Sequence, residues 1–213
     1  EMGMPTWVSP SLTWERIKTF DVGADLSFLK DDLNLTFDWY QRTTNDMLAQ
    51  GSALPPSVGA DAPLDNSGKL RTRGWELNLS WRKQFNKDLG AYVTFNIADS
   101  KSKITEWKND KNIGHPLDTK YAYKGETWGD IWGFETDRYF TESDFTGKDA
   151  KGRWIYADGV ADQTGLQNDQ FVYGPGDIKF KDLDGSGVID GGKGTADDHG
   201  DLKVIGNCLP RYE

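Results

Sequence analysis

The stretch FDVGADLSFLKDDLNLTFDWY, residues 20–40, decides the fold class of this chain. Phe20, Val22, Ala24, Leu26 and Phe28 alternate with Asp21, Gly23, Asp25 and Ser27. In an extended backbone successive side chains point to opposite faces, so this alternation makes one apolar and one polar face. After LKDD the pattern resumes, with Leu33, Leu35, Phe37 and Trp39 set against Asn34, Thr36, Asp38 and Tyr40. The spacing predicts two antiparallel strands joined by a tight turn at KDD. It recurs twice more: Trp75, Leu77, Leu79 and Trp81 against Glu76, Asn78, Ser80 and Arg82, then Ala91, Val93, Phe95 and Ile97 against Tyr92, Thr94 and Asn96.

The connections carry a second signal. Strands one and two are joined by KDD, and three and four by KQFNKD. Between strands two and three the reading places a loop over residues 43–71, around LPPSVGADAPLDNSGK, where Pro, Gly, Asn and Asp concentrate. An excursion over residues 99–201 follows strand four, and LKVIGN opens residues 202–213 as the start of a next strand. Residues 1–98 thus hold four strands with tight turns at one end and all the bulk at the other. That asymmetry, with strands of about ten alternating residues, is the pattern of an outer-membrane barrel. The aromatic residues Phe20, Phe28, Trp39, Trp75 and Trp81 fall where girdles meet the two interfaces. The fold class is therefore all-β: antiparallel strands of part of an outer-membrane β-barrel with long extracellular loops. A soluble sandwich, its apolar face covered by an opposing sheet, gives the same alternation. The sequence offers no second set of four long strands to supply that sheet.

Composition narrows the partners. The 213 residues carry 34 acidic and 25 basic side chains, a formal net charge of −9, and mean hydropathy is −0.70. Such a chain repels phosphate backbones, and no Lys/Arg stripe with interleaved aromatics offsets this, so nucleic acid is not expected as a partner. Nine Trp, eight Tyr and ten Phe in so polar a chain argue against disorder. The single cysteine, Cys208, excludes a disulfide-stapled fold. No run of about 18 apolar residues exists to cross a membrane as a helix, which leaves a barrel open. The chain starts and stops inside segments, which reads as a portion of something longer.

The excursion is far longer than an ordinary loop and is expected to fold as irregular β structure. YKGETWGDIWGFETDRYFTESDF, residues 123–145, is dense in Gly and aromatics, GRWIYADG and DQFVYG look like short strands, and ESDF could start a single turn. Near its end, KDLDGSGVIDGGK reads like half a calcium loop: Asp182, Asp184, Ser186 and Asp190 occupy positions 1, 3, 5 and 9, with Gly187 at the sharp turn. The Val188 carbonyl would add a fifth oxygen. Position 12, where a bidentate acid belongs, is Lys193. A helix–loop–helix hand is excluded, because turn and strand precede the loop and glycines follow it. Two readings stand: a calcium loop of another kind, and a polar turn whose Asp and Ser side chains bond nearby amides.

The residues SLTWERIKTFDVGADLSFLKDDLNLTFDWYQRTTNDML, 11–48, resemble late barrel strands of SusC/RagA-type TonB-dependent outer-membrane transporters. In these a WE pair precedes a strand ending in G-x-D, and a Y-x-R-x-T-x-D-x-L strand follows the hairpin. LRTRGWELNLSW, 70–81, is similar to the family's next strand, and GDIKFKDLDGSGVID followed by LKVIGN resembles its late extracellular segment. The resemblance covers nearly the whole chain in the same order. It implies a piece of the C-terminal part of a 22-stranded plugged barrel in the cell outer membrane. The whole would import glycan oligosaccharides or peptides with a SusD-like lipoprotein lid and force from TonB. It also implies that the acid closing the calcium-like loop sits just before the last strand, at Asp201, with Asp197 and Asp198 as lesser alternatives, across an inserted GGKGTADDHG. The implied loop is then 182–201, with Asp182, Asp184, Ser186, Val188, Asp190 and Asp201 as calcium ligands.

Catalysis finds no support: G-x-S-x-G, H-E-x-x-H and phosphate-cradling motifs are absent, and His115 and His199 sit in no recognisable partner motif. No catalytic residue is assigned, and an enzyme is not expected. Trp128, Trp132, Phe134, Tyr139 and Trp154 are candidates to stack on sugar rings, and equally candidates for the excursion's own small core. Asp21, Asp25, Asp38 and Glu76 are expected to line a wet interior. The competing account is a soluble, secreted, calcium-stabilised β-sandwich that binds glycans.

Overall fold

The computed structural model describes residues 12–50, 64–108, 112–168 and 170–212. These form two compact units, one of Glu1–Asn109, Ala122–Gly129 and Cys208–Glu213, the other of Asp110–Tyr121 and Asp130–Asn207.

The first unit is built on one four-stranded antiparallel sheet in the order β1-β2-β3-β4: β1 (Arg16–Phe28), β2 (Leu33–Gln50), β3 (Leu64–Gln84) and β4 (Gly90–Glu106). The register shows why the alternation matters. Val22, Trp39, Trp75 and Asp99 lie in one row across the sheet. So do Ala24, Phe37, Leu77 and Ile97; Leu26, Leu35, Leu79 and Phe95; and Phe28, Leu33, Trp81 and Val93. A slip of one residue would move every one of these side chains to the other face, so the four apolar rows pin the pairing. On the opposite face Asp25, Thr36, Asn78 and Asn96 share a row, and Thr36 donates to Asp25 Oδ1 at 2.7 Å. The polar candidates Asp38 and Glu76 are directly opposite each other there.

The apolar rows remain open: Val22 is 55%, Val93 58% and Phe95 53% exposed. A sandwich would bury these side chains against a facing sheet, as it buries the inner rows of both its layers. The first unit buries apolar side chains instead at the far end of the strands, where Ile104, Ala122 and Tyr123 are inaccessible or nearly so. There residues 122–129 run along the open edge of β4: the amides of Ile104, Gly125 and Trp128 bond the carbonyls of Glu126, Ile104 and Ser102.

Three boundaries depart from the sequence reading. The loop placed over residues 43–71 is narrower, since β2 continues to Gln50 and β3 begins at Leu64, while residues 51–63 lie outside the described residues. Pairing outweighs turn propensity here, because β3 has neighbours on both sides. Gly68, which reads as loop chemistry, is needed for close approach: a Cβ there would collide with the Trp107 ring. The ladder absorbs the irregular sequence with register shifts between Thr44 and Met47, beside Asp46 at φ 57°, whose carboxylate receives both Nε and Nη2 of Arg16. Likewise the excursion does not begin at residue 99, because β4 runs on to Glu106.

The third departure concerns LKVIGN. In the second unit, β5 (Asp130–Phe134) pairs with β10 (Leu202–Asn207), β6 (Thr136–Tyr139) with β9 (Ile178–Phe180), and β7 (Phe145–Lys148) with β8 (Trp154–Tyr156). Leu202–Asn207 is therefore not a further strand of the four-stranded sheet. Alternation marks a strand without naming its partner, and here Leu202 faces Phe134 and Val204 faces Trp132. GRWIYADG supplies β8, as its composition predicts, and ESDF holds the single 3-10 turn Glu142–Asp144. DQFVYG forms no strand among its described residues; it bends back through a bridge between Asn168 and Phe171.

Aromatic rings make the second unit's core. Phe140, Phe145 and Tyr173 are buried, with Trp154, Tyr156, Val160, Leu166 and Phe180 packed around them. Phe145 lies 5.1 Å from Phe140 and 5.2 Å from Trp154, centroid to centroid, within the tilted-pair range. Burial pushes the Tyr156 phenol up to about 12. Gln163, wholly buried, ties β9 to the turn beside it: its Oε1 accepts the Phe180 amide at 2.7 Å and its Nε2 donates to the Ile178 carbonyl at 3.2 Å.

Candidate functional site

The calcium-like loop lies in the second unit between β9 and β10. Its shape is dictated by short acids and glycines. Asp182 folds the chain over itself: its Oδ1 accepts the amides of Gly185 and Ser186 at 2.7 and 3.1 Å, and its Oδ2 that of Gly187 at 2.8 Å. Gly185 and Gly187 stand at φ 75° and 79°, where a side chain would strain the backbone. Asp184 accepts the Ser186 amide at 2.8 Å, and that bond, with help from the Ser186 hydroxyl, holds its carboxyl below the usual carboxylate range.

Asp201 closes the loop through bonds that span 11 to 18 residues. Its side chain is fully buried; Oδ1 accepts the Leu183 amide at 2.5 Å and the Asp184 amide at 3.4 Å, and Oδ2 that of Asp190 at 3.1 Å. The acid at Asp201 thus folds onto the position that Lys193 cannot serve. Lys193 instead turns outward to Asp198 at 2.9 Å, which occupies one of the two lesser alternatives for the closing ligand.

Three of the six expected ligands come together: one carboxylate oxygen each from Asp182, Asp184 and Asp201 lie within 4.8 Å of one another. No Lys, Arg or His among the described residues forms an ion pair with any of them. Like charges so close disfavour one another's ionised form unless a cation or a proton intervenes. The remaining three expected ligands are engaged elsewhere. The Ser186 hydroxyl donates to the Val188 carbonyl at 2.9 Å, and Asp190 Oδ1 accepts the Gly192 amide at 2.7 Å. The donor set, all hard oxygens on a turn, suits calcium rather than a soft metal.

The aromatic candidates separate. Trp154 and Phe134 are engaged in packing, Phe134 at 5.3 Å from Phe180. Trp132 packs on His199 at 5.0 Å, and Tyr139 is 68% exposed. Trp128 belongs to the first unit, where its amide bonds the Ser102 carbonyl. Trp154 also lines a cleft of about 460 Å³ with Arg153, Tyr156, Asp158, Asp162 and Gln167, and Lys148 Nζ sits 4.5 Å from its ring centroid.

A structural anchor lies at the Glu142–Asp144 turn. Asp144, only 5% exposed in its side chain, receives Arg138 through Nη1 at 2.7 Å and Nη2 at 2.6 Å, and the Thr141 amide and hydroxyl at 2.7 and 2.8 Å. The Arg138 fork, ahead of the Thr141 bonds, holds the carboxyl well below its usual value. The signal was present as T-x-x-D at Thr141 and Asp144, a spacing that lets an acid reach back to an amide three residues earlier.

An antiparallel sheet whose apolar face is uncovered and whose neighbouring strands are joined by tight turns at one end has the form of a wall segment of a β-barrel. The chain matches the family described as TonB dependent receptor-like, beta-barrel, over residues 3–190, and it belongs to that family. Members of this family are outer-membrane β-barrels and not an enzyme class.

Over 214 residues the chain is 28% identical to TonB-dependent receptor P3 of Formosa agariphila, covering 97% of this chain and 19% of that protein. It is 27% identical over 103 residues to TonB-dependent receptor SusC of Bacteroides thetaiotaomicron, covering 48% of this chain and 10% of SusC. Among solved structures, the RagAB peptide transporter shares the fold with a TM-score of 0.52 at 24% identity, over 72% of this chain and 16% of that one. The chain therefore spans about a fifth of the length of TonB-dependent receptor P3. The resemblance to SusC/RagA-type transporters read from residues 11–48, 70–81 and 176–210 is borne out.

Proposed function

We propose that this chain is part of the wall and extracellular loops of a TonB-dependent outer-membrane importer. Its cargo is an oligomer, a glycan oligosaccharide or a peptide, and a SusD-like lipoprotein and TonB are its partners. The observation that carries the reading is the open apolar face running in register across β1–β4, which lipid would cover, on a chain of this family. Asp25, Asp38 and Glu76 on the other face suit a wet lumen. Tyr139, exposed, and Trp154, beside its cleft, are the aromatic side chains best placed to meet a sugar.

Deleting the gene for the full-length protein should abolish growth on one class of oligomer while growth on its monomer is unchanged. A protonophore should stop uptake of the same oligomer in wild-type cells, because TonB delivers work from the proton gradient. Normal growth of the deletion strain on every oligosaccharide and peptide tried would overturn the reading.

Within that importer the loop 182–201 binds calcium. Asp182, Asp184 and Asp201 hold the ion, and Ser186, the Val188 carbonyl and Asp190 complete its oxygen shell. Three carboxylates brought together without a basic partner among the described residues support this assignment, and the role of the ion is to stiffen an extracellular loop. In the intact transporter, calcium should slow proteolytic cleavage between residues 182 and 201 several-fold. Asp184→Ala should remove that protection without preventing insertion. Cleavage equally fast with calcium and with chelator would count against the ion.

A further inference from the structure

We infer that the outer face of the sheet carries a binding site for the phosphate groups of outer-leaflet lipids, immediately beyond the tryptophan row. The inference rests on the barrel reading proposed above. The apolar rows end at Val22, Trp39, Trp75 and Asp99. On the same face, the next row is Phe20, Gln41, Arg73 and Lys101, and the one after is Lys18, Thr43, Arg71 and Lys103. Five cations thus follow the last apolar row within four residues of strand, in a chain whose net charge is −9.

These rows lie near the middle of β2 and β3, on the side of the tryptophan row from which the chain runs on to its long connections. Long connections are extracellular in outer-membrane barrels, so the cations stand at the level of the outer-leaflet head groups. A cleft of about 360 Å³ opens there, with Trp39 and Trp75 on its apolar side and Arg71, Arg73, Lys101 and Lys103 along its charged side. The aromatic rings suit the interface between acyl chains and head groups.

Four cations line the cleft against the carboxylate of Asp99, which attracts Lys101 through space. Asp99 is the acid in the cleft lining, and Arg211 takes both its oxygens, Nε at 3.0 Å and Nη2 at 2.9 Å. Among the described residues none of the four cleft cations forms an ion pair. Arg73 Nε donates to Gln41 Oε1 at 2.8 Å, which leaves its terminal nitrogens for another acceptor. Arg71 Nε is buried with no hydrogen-bond partner. Clustered guanidinium and ammonium groups with donors to spare match a phosphate, whose oxygens accept several charge-assisted bonds at once. Continuity with the apolar rows selects a lipid-borne phosphate, since the acyl chains of the same molecule would lie on Phe37, Leu77 and Ile97.

The test uses the full-length protein in nanodiscs made with lipid A, or with the same lipid after enzymatic dephosphorylation. Native mass spectrometry after detergent exchange reads the lipid retained. Wild type should keep the phosphorylated form at least ten-fold better than the dephosphorylated one. Arg71→Gln/Arg73→Gln/Lys101→Gln/Lys103→Gln should erase the preference, and Arg73→Gln/Lys101→Gln, chosen to leave the half-buried Arg71 intact, should weaken it several-fold. Excess inorganic phosphate should leave retention unchanged; displacement by it would overturn the lipid assignment in favour of a free anion. Equal retention of the two lipids by an inserted wild-type protein would overturn the inference while leaving the barrel intact. A wild-type protein that inserts into neither nanodisc would overturn the barrel reading as well.

Discussion

Leu79→Arg should destabilise the barrel by about 2–4 kcal/mol, the cost of an arginine near the middle of the lipid-facing band. Leu79 shares its row with Leu26, Leu35 and Phe95, between the tryptophan rows of Trp75 and Trp81. At about 3.4 Å per residue, position 79 stands roughly 7 Å from the Trp81 row and roughly 14 Å from the Trp75 row, so a guanidinium tethered there must lay its whole stem along the apolar face to reach the nearer interface. Ser80→Arg is the matched control. Ser80 lies on the opposite face beside Asn34 and Thr94, where a lumen hydrates the charge, and should cost well under 1 kcal/mol by the same reasoning about depth and face. Denaturant unfolding of the lipid-reconstituted protein measures both. Equal tolerance of the two substitutions would mean that the apolar face does not meet lipid.

Asp144→Ala should be the most damaging single change in the excursion, at about 2–3 kcal/mol. Losing a buried carboxylate strands its donors, and Arg138, being 45% exposed, recovers part of the loss by turning to water. The Thr141 amide cannot do so. Backbone hydrogen exchange over residues 136–180 of the purified full-length protein should quicken by about 30- to 150-fold, since each 1.36 kcal/mol is tenfold. Lowering the pH should mimic the substitution. Folded Asp144 has a depressed pKa, so its stabilisation is complete above the unfolded carboxylate's value near 3.9 and fades as pH falls towards the folded one. Glu135, held down to about 2 chiefly by its bonds to Lys181 and then Lys203, follows the same sign, with its contribution fading between roughly 4.3 and 2. Exchange unaffected by Asp144→Ala would show that the aromatic core holds the unit by itself.

Much of the candidate site was legible because its chemistry is local. Asp182, Asp184 and the two glycines lie within six residues, and short acids at alternate positions bond the amides that the turn exposes. The closing acid at Asp201 was reached only through a family resemblance, because nothing in GGKGTADDHG tells how far that insertion carries the chain. The aromatic residues were legible only as a set with two uses. Whether a ring packs or stays open depends on neighbours far away in sequence: Trp154 meets Phe145 across a hairpin, whereas Tyr139 meets water.

By itself the sequence determined the faces of the sheet. Side chains alternate with a period of two in any strand, so Phe20 through Trp39 could be divided into apolar and polar faces without knowing a single partner. Pairing was decided only in three dimensions. It carried β2 and β3 through residues rich in Asn and Gly, sent Leu202–Asn207 to β5 rather than to the four-stranded sheet, and aligned Lys18, Arg71 and Lys103 in one row. Those charges are 32 to 85 residues apart, and no local pattern relates them. Register does, because ladder hydrogen bonds fix each residue opposite one partner, and the apolar rows fix which partner that is.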